Sequence, residues 1–353
     1  MSRTVESRVA DVRRLLASAR AVYEGRARIA PTLAAATGLT PEGVELGFAS
    51  LEREATDAEL HALVAGAGET SHVHVVLSAN VFVAPLRALA IARAAADRVT
   101  VRPSPRDPAL ALALLEAAAS GGDEAFARVD ERDAFHVERG EIHVYGGDAT
   151  IAAVCARARP GVIVRGHAAG MGVALVSPGA ELGAAADSLA LDIVVFDQRG
   201  CLSPRVAVVL GDASRAERFA EAVHAALRSW EARVPRGRLF EDERIDARRW
   251  RDTFAFAGRV WDAGGGAVAL ALTAEGTPLC VPPAGRHLTV VAAASGHAVA
   301  MALEPIAPRI VAVGTDAPRE LGTLAPAHAR LSALGAMQRP PLDGPVDRRS
   351  RRR

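Results

Sequence analysis

The chain has 353 residues, of which 50% are hydrophobic, 24% charged and 4% aromatic, and this length suits two domains that each bury a core. Its 42 cationic side chains are all arginine and stand against 41 acidic ones, so the net charge of +1 provides no overall field for nucleic acid or an anionic membrane. A chain without lysine can form neither a lysine Schiff base nor a Walker-type phosphate loop. Side-chain amides are almost as scarce, because Asn80, Gln198 and Gln338 are the only ones in the sequence.

The N-terminus and the cysteines predict a cytoplasmic location. Residues 1–16 carry charges every few positions and lack the apolar core of a signal peptide. The sequence also contains no uncharged apolar stretch long enough to predict a membrane span. Its cysteines, Cys155, Cys201 and Cys280, form neither a CxxC zinc pattern nor a disulfide framework. We therefore expect a reduced cytoplasmic protein with no bound metal.

The first 167 residues predict an N-terminal helical segment followed by a dinucleotide-binding domain. Residues 5–66 have apolar residues at helical spacing. Beyond them, short apolar runs predict strands over 73–77, 98–102, 141–145 and 162–165, separated by predicted helices over 83–97, 108–119 and 149–158. This alternation is typical of a doubly wound parallel sheet, which binds ligands at the carboxyl ends of its strands. The segments at those ends are Ser78–Asn80, Arg102–Ser104 and Gly146–Asp148.

Residues 168–339 predict a second α/β domain. The predicted strands span 173–176, 193–197, 206–210, 268–272, 288–292 and 310–313. A long helix is predicted over 214–233, and residues 248–259 predict a further helix or a surface excursion. The tail, residues 340–353, is rich in proline and arginine, and this composition predicts disorder.

Cys201 is the candidate nucleophile of the second domain. It follows Gly200 in a turn directly after the predicted strand 193–197, where a glycine lets the backbone approach a ligand. Two neighbouring cations, Arg199 and Arg205, could stabilise its thiolate. The alternative is a small buried side chain, which is how most free cysteines behave. We accept that alternative for Cys155 and Cys280.

Three other positions could take part in catalysis or ligand binding, and each has a structural alternative. Asn80 could donate a hydrogen bond to an oxyanion, although a cap for the following helix explains an asparagine there by itself. The Gly146-Gly147-Asp148 junction suits a nucleotide phosphate or a nicotinamide, and equally a tight turn between strand and helix. His167, in a second glycine-rich junction, could transfer protons, but most single histidines are structural.

Five segments of the chain occur in an order known from one enzyme superfamily. They are SANVFVAPLRAL, VTVRPSPRDP, HVYGGDATIAAV, GHAAGMGVALV and VVFDQRGCLSPRVAVV. Together they resemble the aldehyde dehydrogenase superfamily, and the branch they resemble most is the LuxC-type acyl-CoA reductases. The closing segment LGAMQRPPLDGPVD also resembles that branch, so the resemblance runs from about residue 70 to 345. It implies an aldehyde-dehydrogenase-like fold of two doubly wound α/β domains.

The resemblance also implies roles for particular residues. Cys201, on a loop that contains Gln198, would be the nucleophile, and Asn80 would help to hold the oxyanion. The Arg102-Pro103-Ser104 segment would contact the adenine ribose, with arginine where the superfamily has lysine. Gly146, Gly147 and Asp148 would border the cofactor. Because an arginine near that ribose can pair with a 2′-phosphate, NADP(H) is the expected cofactor.

His167 occupies the position at which hydrolytic members of the superfamily carry a glutamate base. Without that base, exchange of the acyl group with coenzyme A is favoured over hydrolysis. The expected activity is the NADPH-dependent reduction of an acyl-CoA, or another acyl thioester, to an aldehyde, with His167 as proton donor. Another aldehyde or semialdehyde dehydrogenase, or a non-catalytic member in a biosynthetic complex, are the alternatives. A homo-oligomer is compatible with all three.

Overall fold

The computed structural model describes residues 3–51, 54–79, 81–129, 137–271 and 279–349. The chain divides into two compact units: unit 1 comprises Met1–Thr37, Leu51–Ala169 and Pro341–Arg353, and unit 2 comprises Gly38–Ser50 and Gly170–Pro340. Two short segments therefore group differently from the predicted domains. Gly38–Ser50 belongs to the second unit, and the C-terminal tail belongs to the first.

Unit 1 begins with helices that match the predicted helical segment. They are α1 (Val5–Glu24), α2 (Ala30–Thr37) and, after the segment of unit 2 that contains α3 (Pro41–Ala49), α4 (Asp57–Ala67). Side-chain caps explain where α1 and α4 begin. Thr4 accepts a hydrogen bond from the Ser7 amide at the start of α1, and Thr56 and Glu59 form a reciprocal capping box at the start of α4.

In the described part of unit 1, the sheet has five parallel strands in the order β3-β2-β1-β4-β5. The strands are β1 (His72–Val76), β2 (Arg98–Arg102), β3 (Phe126–Arg128), β4 (Glu141–Tyr145) and β5 (Ile163–His167), and the helices among them are α5 (Ala84–Ala95), α6 (Ala109–Ser120) and α7 (Asp148–Arg157). The predicted doubly wound parallel sheet is confirmed. The short edge strand β3 was not predicted from the sequence.

Over the residues that the structure describes, the sheet of unit 2 has seven strands in the order β12-β11-β6-β7-β10-β9-β8. Its strands are β6 (Met171–Val176), β7 (Pro204–Leu210), β8 (Gly258–Asp262), β9 (Ala267–Ala271), β10 (His287–Ala293), β11 (Ile310–Thr315) and β12 (Arg330–Ala333). Its helices are α8 (Leu182–Val194), α9 (Ala213–Arg233), α10 (Glu241–Ala257), α11 (Gly296–Leu303) and α12 (Pro318–Leu321). All neighbours pair in parallel except β8 and β9, which are antiparallel.

The central strands of unit 2 are buried on both faces, as strands of a parallel sheet covered by helices must be. In β7, Val209 packs in the apolar cluster of α8 and α9, whereas Val208 packs in the cluster of α11 on the other face. Because both faces are covered, β7 is continuously apolar from Val206 to Leu210, and the nucleophile candidate lies just before the strand. Within the described parts of the chain, no helix is long and apolar enough to cross a membrane.

The predicted strand at 193–197 is wrong. Residues up to Val194 form the end of α8, and the backbone then turns through Phe196, Asp197 and Gln198, all with positive φ. A short apolar run is compatible with a buried helix end as well as with a strand, so its periodicity could not separate the two. The segment predicted as a helix or excursion over 248–259 is the second half of α10, and β8 follows from Gly258. The last residue of the predicted strand 268–272 lies outside the described residues.

The C-terminal tail, for which composition predicts disorder, is packed in unit 1 over residues 341–349. Arg87 donates hydrogen bonds to the carbonyl oxygens of Pro341 and Gly344 at 2.8 and 2.7 Å. Arg349, whose side chain is 7% exposed, pairs with Asp347 at 2.7 Å and donates to the Ala168 carbonyl oxygen at 3.2 Å. The arginines of this tail thus exchange water for carbonyl and carboxylate acceptors, which a composition-based prediction does not anticipate.

Candidate active site

The turn that leads to Cys201 has an unusual backbone. Phe196, Asp197 and Gln198 are three consecutive residues in the left-handed region, with φ of 58°, 49° and 64°. Residues other than glycine cost about 1–2 kcal/mol each in this conformation, so the surrounding structure must hold them there. Cys201 itself is partly exposed and its thiol is free of disulfide bonding.

A buried ion pair holds the middle residue of the turn. The Asp197 carboxylate, 0% exposed, accepts hydrogen bonds from Arg286 Nε at 2.7 Å and from the Gly237 amide at 2.9 Å. Its main-chain oxygen accepts a hydrogen bond from the Gly285 amide at 3.0 Å. Arg286 is 1% exposed and also donates to Glu231 Oε2 at 3.1 Å. Removing either partner would leave a buried charge uncompensated, which makes this pair a strong constraint on the turn.

The amide of Gln198 holds the last left-handed residue. Its Nε2 donates to the carbonyl oxygens of Pro204 and His287, both at 2.6 Å, and its Oε1 accepts from the His287 amide at 2.8 Å. This fully buried side chain therefore ties the turn to the first residues of both β7 and β10. Gln198 acts as a clamp for the turn, because its amide nitrogen and oxygen are both bonded to the protein.

The two arginines expected beside the thiolate have other partners. Arg199 binds both carboxylate oxygens of Glu243 at 2.9 Å and donates to the Arg238 carbonyl oxygen at 3.0 Å. Arg205 donates to the Pro282 carbonyl oxygen at 2.9 Å, and its pKa is lowered to about 10 by burial and by the charge of Arg309. The expectation that these guanidinium groups stabilise the thiolate stays a prediction.

The other cysteines lie in apolar surroundings. Cys155 packs at the edge of the cluster between α7 and the sheet of unit 1, and Cys280 packs beside Trp250 and Phe254 in unit 2. Burial raises the pKa of Cys280, which makes its thiol a poorer nucleophile.

The carboxyl edge of the sheet in unit 1 gathers the residues expected to bind the cofactor. Val76 at the end of β1 pairs with Arg102 on one side and with Val144 on the other. Strands lie about 4.8 Å apart, so the segments that follow β2 and β4 start about 10 Å from each other. One segment is Arg102, the last residue of β2, with Pro103 and Ser104 after it. The other is Gly146, Gly147 and Asp148, which follow β4. Asn80, which follows β1 in the chain, lies outside the described residues.

The residues at this edge fit a dinucleotide phosphate. The ten-residue helix α7 starts at Asp148, and its cap residue Gly147 provides no side-chain hydrogen bond to the first amides. A Cβ atom at Gly147 would meet no atom within 4 Å, so the space in front of these amides is open. Free amides at a helix N-terminus attract anions. Ser104 is buried and Arg102 partly exposed at the end of the neighbouring strand.

His167 ends β5 at the same edge of the sheet. Its ring stacks on Tyr145 with 4.4 Å between centroids, and its pKa is lowered to about 4 by burial and by the neighbouring His143. The imidazole is therefore uncharged near neutral pH. The Tyr145 hydroxyl beside it is buried without a hydrogen-bond partner among the described residues, and burial raises its pKa.

The sequence did not predict a buried carboxylate in α8 or its connection to the segment that contains Ser203. The buried carboxylate of Asp192, in α8, accepts hydrogen bonds from the amides of Gly335 and Met337 at 2.6 and 3.0 Å. Gln338 then donates to the Ser203 hydroxyl at 3.3 Å, two residues after the nucleophile candidate. Burial raises the pKa of Asp192 to about 7. The rarity of glutamine in this sequence was the available signal for Gln338.

Solved structures that resemble this chain along most of its length include aldehyde dehydrogenases. A NAD-dependent benzaldehyde dehydrogenase from Corynebacterium glutamicum matches 94% of this chain and 82% of its own at 14% identity, with a TM-score of 0.69. Mycobacterium tuberculosis aldehyde dehydrogenase complexed with NAD+ matches 93% and 77% at 16% identity, with a TM-score of 0.69. The NADP-dependent glyceraldehyde-3-phosphate dehydrogenase from Bacillus halodurans C-125 complexed with NADP matches 93% and 78% at 13% identity, with a TM-score of 0.67. The chain therefore has the aldehyde dehydrogenase fold.

Within that class, the sequence match is to one family. The acyl-CoA reductase (LuxC) family matches residues 50–340, more than half of the chain, and the chain belongs to this family. No curated protein matches the chain. The resemblance drawn from the five sequence segments is confirmed, and so is the expectation that the protein is an oxidoreductase enzyme.

Proposed function

We propose that the chain reduces an acyl-CoA to the aldehyde with NADPH, through a thioester on Cys201. The observation that carries the proposal is the turn before Cys201, where buried bonds from Arg286 and to His287 hold Asp197 and Gln198 in a costly conformation. Such strain clusters at active sites and needs a built support. The family membership supports the acyl thioester as the substrate class.

In the proposed mechanism, the Cys201 thiolate attacks the carbonyl carbon of the acyl thioester. The developing oxyanion accepts hydrogen bonds from the Cys201 amide and from the side-chain amide of Asn80. Coenzyme A leaves as its thiolate when the carbonyl reforms, and the acyl group is then bound to the Cys201 sulfur. NADPH, when bound at the edge of the sheet in unit 1, would supply the hydride for reduction of this thioester to a thiohemiacetal. Cleavage of the carbon–sulfur bond releases the aldehyde and restores the thiolate.

His167 is proposed to assist proton transfer at the oxygen of the bound acyl group. Because its pKa is lowered to about 4, it would act through a neutral N–H and not as an imidazolium ion. The absence of a glutamate base at this position favours transfer of the acyl group over its hydrolysis.

The proposed cofactor site is the carboxyl edge of the sheet in unit 1. The N-terminus of α7 at Gly147 and Asp148 would hold a phosphate of NADPH, and Arg102 would pair with the 2′-phosphate. Pro103, Ser104 and Gly146 would form the adjoining walls. A cytoplasmic location is part of the proposal, and it is compatible with three cysteines that form no disulfide bond.

The test is the intact mass of the protein after incubation with an acyl-CoA and no NADPH. We expect one acyl adduct on the unmodified chain and none on Cys201→Ser. Cys155→Ser and Cys280→Ser serve as matched controls and should both retain the adduct. An acyl phosphate, supplied in place of acyl-CoA, separates this proposal from a reductase of phosphate-activated substrates. Acylation by the phosphate alone would refute the coenzyme A assignment.

A further inference from the structure

Unit 2 contains an arginine-lined cavity of about 590 Å³ between the segment before α10 and that helix. This is within the size range of small-molecule sites. Its lining residues are Arg236, Arg238, Leu239, Phe240, Glu241, Arg244, Ala247, Arg248, Arg251 and His287. Five guanidinium groups and a single carboxylate thus face one space.

The cationic charge of the cavity is only partly neutralised. Arg244 pairs with Glu241, and Arg251 pairs with Asp262 at 2.8 Å. Arg238 and Arg248 are exposed, and neither has an acidic partner among the residues that the structure describes. An anion that enters the cavity therefore meets guanidinium groups that are not already committed to carboxylates. Arginine binds phosphate oxygens through two parallel N–H donors, which a surface ion pair would otherwise occupy.

The inner wall of the cavity combines an aromatic ring with a buried acceptor. Phe240 is partly exposed, and the guanidinium groups of Arg199 and Arg238 lie 5.2 and 5.5 Å from its ring centroid. His287 is fully buried, and its Nδ1 lies 3.0 Å from the Ala284 carbonyl oxygen. Its Nε2 has no hydrogen-bond partner in the described residues. This lining suits a ligand that carries phosphates together with an aromatic base and amide groups.

The cavity wall is bonded directly to the turn that holds Cys201. Arg199, two residues before the nucleophile candidate, binds Glu243 of α10 and the Arg238 carbonyl oxygen. The Gly237 amide donates to Asp197 at 2.9 Å. The same short segment therefore supports the strained turn and forms a wall of the arginine-lined cavity.

We propose that this cavity binds the phosphate-bearing half of coenzyme A. The inference rests on the proposed function, in which the acyl donor is a coenzyme A thioester. The pantetheine arm of that thioester separates its reacting carbonyl from its phosphates, so a phosphate site and the nucleophile must be distinct places. Arg238 and Arg248 bind the phosphates.

The test is calorimetric binding of free coenzyme A to the full chain and to the double variant Arg238→Gln/Arg248→Gln. Each lost phosphate contact should weaken binding about tenfold, so the double variant should bind about 100-fold more weakly. Arg228→Gln, which removes an exposed arginine of α9 outside the cavity, should bind like the unmodified chain. Coenzyme A without its 3′-phosphate should bind the unmodified chain more weakly, and NADPH affinity should be equal in all variants.

Equal affinity of the double variant and the unmodified chain for coenzyme A would overturn the cavity assignment, as would no measurable binding to either. A parallel loss of NADPH affinity would overturn it too, because the cavity would then hold the nicotinamide cofactor. Failure of the proposed function has a different signature. In that case no acyl thioester, including acyl-pantetheine, would form an adduct on Cys201, whatever coenzyme A does in the cavity.

Discussion

The cysteine turn of unit 2 and the carboxyl edge of unit 1 differ in how their polar groups are used. In the turn, Asp197 and Gln198 are fully buried, and their side-chain oxygens and nitrogen all have protein partners. At the edge, the Tyr145 hydroxyl is buried without a hydrogen-bond partner among the described residues. The helix that starts at Asp148 also lacks a side-chain cap.

This difference matches two requirements of an enzyme of this class, which must fix its nucleophile in place and must also exchange its cofactor. A nucleophile gains rate from a fixed position, because a misplaced reacting atom loses most of the benefit of proximity. A cofactor edge must exchange its ligand in each turnover, so its hydrogen-bond donors serve best when they are free to meet that ligand. Rigid support in one unit and open donors in the other are therefore both expected of an acyl-CoA reductase.

The largest expected effect is on the chemistry of the rigid region. Cys201→Ser keeps the size of the side chain but replaces the thiol by a hydroxyl whose pKa is far above neutrality, so NADPH oxidation that depends on acyl-CoA should fall by orders of magnitude. The measurement is the initial rate with saturating substrates. Cys155→Ser and Cys280→Ser should keep near-normal rates. Near-normal turnover by Cys201→Ser would favour a non-catalytic role for the turn.

A second prediction concerns the stability that the protein loses when the ion pair supporting the cysteine turn is broken. Asp197→Asn keeps a residue type that tolerates a left-handed backbone, but it removes the charge that faces Arg286. Breaking a buried pair in this way should lower the free energy of unfolding by about 3 kcal/mol. Urea titration followed by circular dichroism measures the change.

The matched control for that variant is an exposed pair in the same unit. The side chains of Asp246 and Arg249 on α10 are 61% and 77% exposed. The distance between Asp246 Oδ1 and Arg249 Nη1 is 3.7 Å. Asp246→Asn should change the free energy of unfolding by less than about 0.5 kcal/mol. Similar effects for Asp197→Asn and Asp246→Asn would show that the ion pair does not stabilise the turn.

The same contrast explains what the sequence could predict. Strands β2 and β4, whose carboxyl ends lie at the open edge, were predicted with their observed bounds. Short β-branched runs between turn residues can be recognised from the local sequence alone. The cysteine turn was wrongly predicted as the end of a strand over 193–197. Its conformation depends on Arg286 and His287, almost 90 residues further along the chain, and no local pattern contains that information.

The C-terminal region makes the same point in both units. Composition predicts disorder for residues 340–353, yet Arg349 finds carbonyl acceptors at Ala168 and Ala169. Gln338 bonds with the Ser203 hydroxyl near the nucleophile candidate. Both contacts join residues more than 130 positions apart, so only the folded chain brings them together. The rarity of amides flagged Gln338 as unusual but gave no partner for it.

Buried histidines should make the stability of the protein depend on pH. Burial lowers the pKa of His74 in unit 1 and of His287 in unit 2 to about 4, against 6.5 in an unfolded chain. Above pH 6.5 both states leave these groups neutral, so stability does not depend on them. As pH falls from 6.5 to 4, the unfolded chain takes up protons that the folded chain excludes, and each histidine should cost up to about 1.4 kcal/mol per pH unit.

The measurement is the free energy of unfolding at a series of pH values between 4 and 7. His74→Gln should flatten the dependence, whereas His61→Gln, at an exposed position of α4, should leave it unchanged. Identical curves for the unmodified chain and His74→Gln would contradict the prediction. Comparison with His287→Gln then tells which unit is the more sensitive, since His287 also lies against the clamp formed by Gln198.

The smallest expected effect tests the open edge. If Arg102 pairs with the 2′-phosphate, NADPH should bind more tightly than NADH, and Arg102→Ala should remove most of that difference, about tenfold in the dissociation constant. NADH affinity should change little, because NADH carries a hydroxyl where NADPH carries the phosphate. Arg98→Ala, at the exposed start of the same strand, is the matched control and should keep the preference for NADPH. Since a ligand-exchanging edge can lose one donor without loss of structure, Arg102→Ala should also unfold at the same urea concentration as the unmodified chain. Equal affinity of the unmodified protein for the two cofactors would remove the role proposed for Arg102, and a large loss of stability in Arg102→Ala would show that the edge is as tightly built as the cysteine turn.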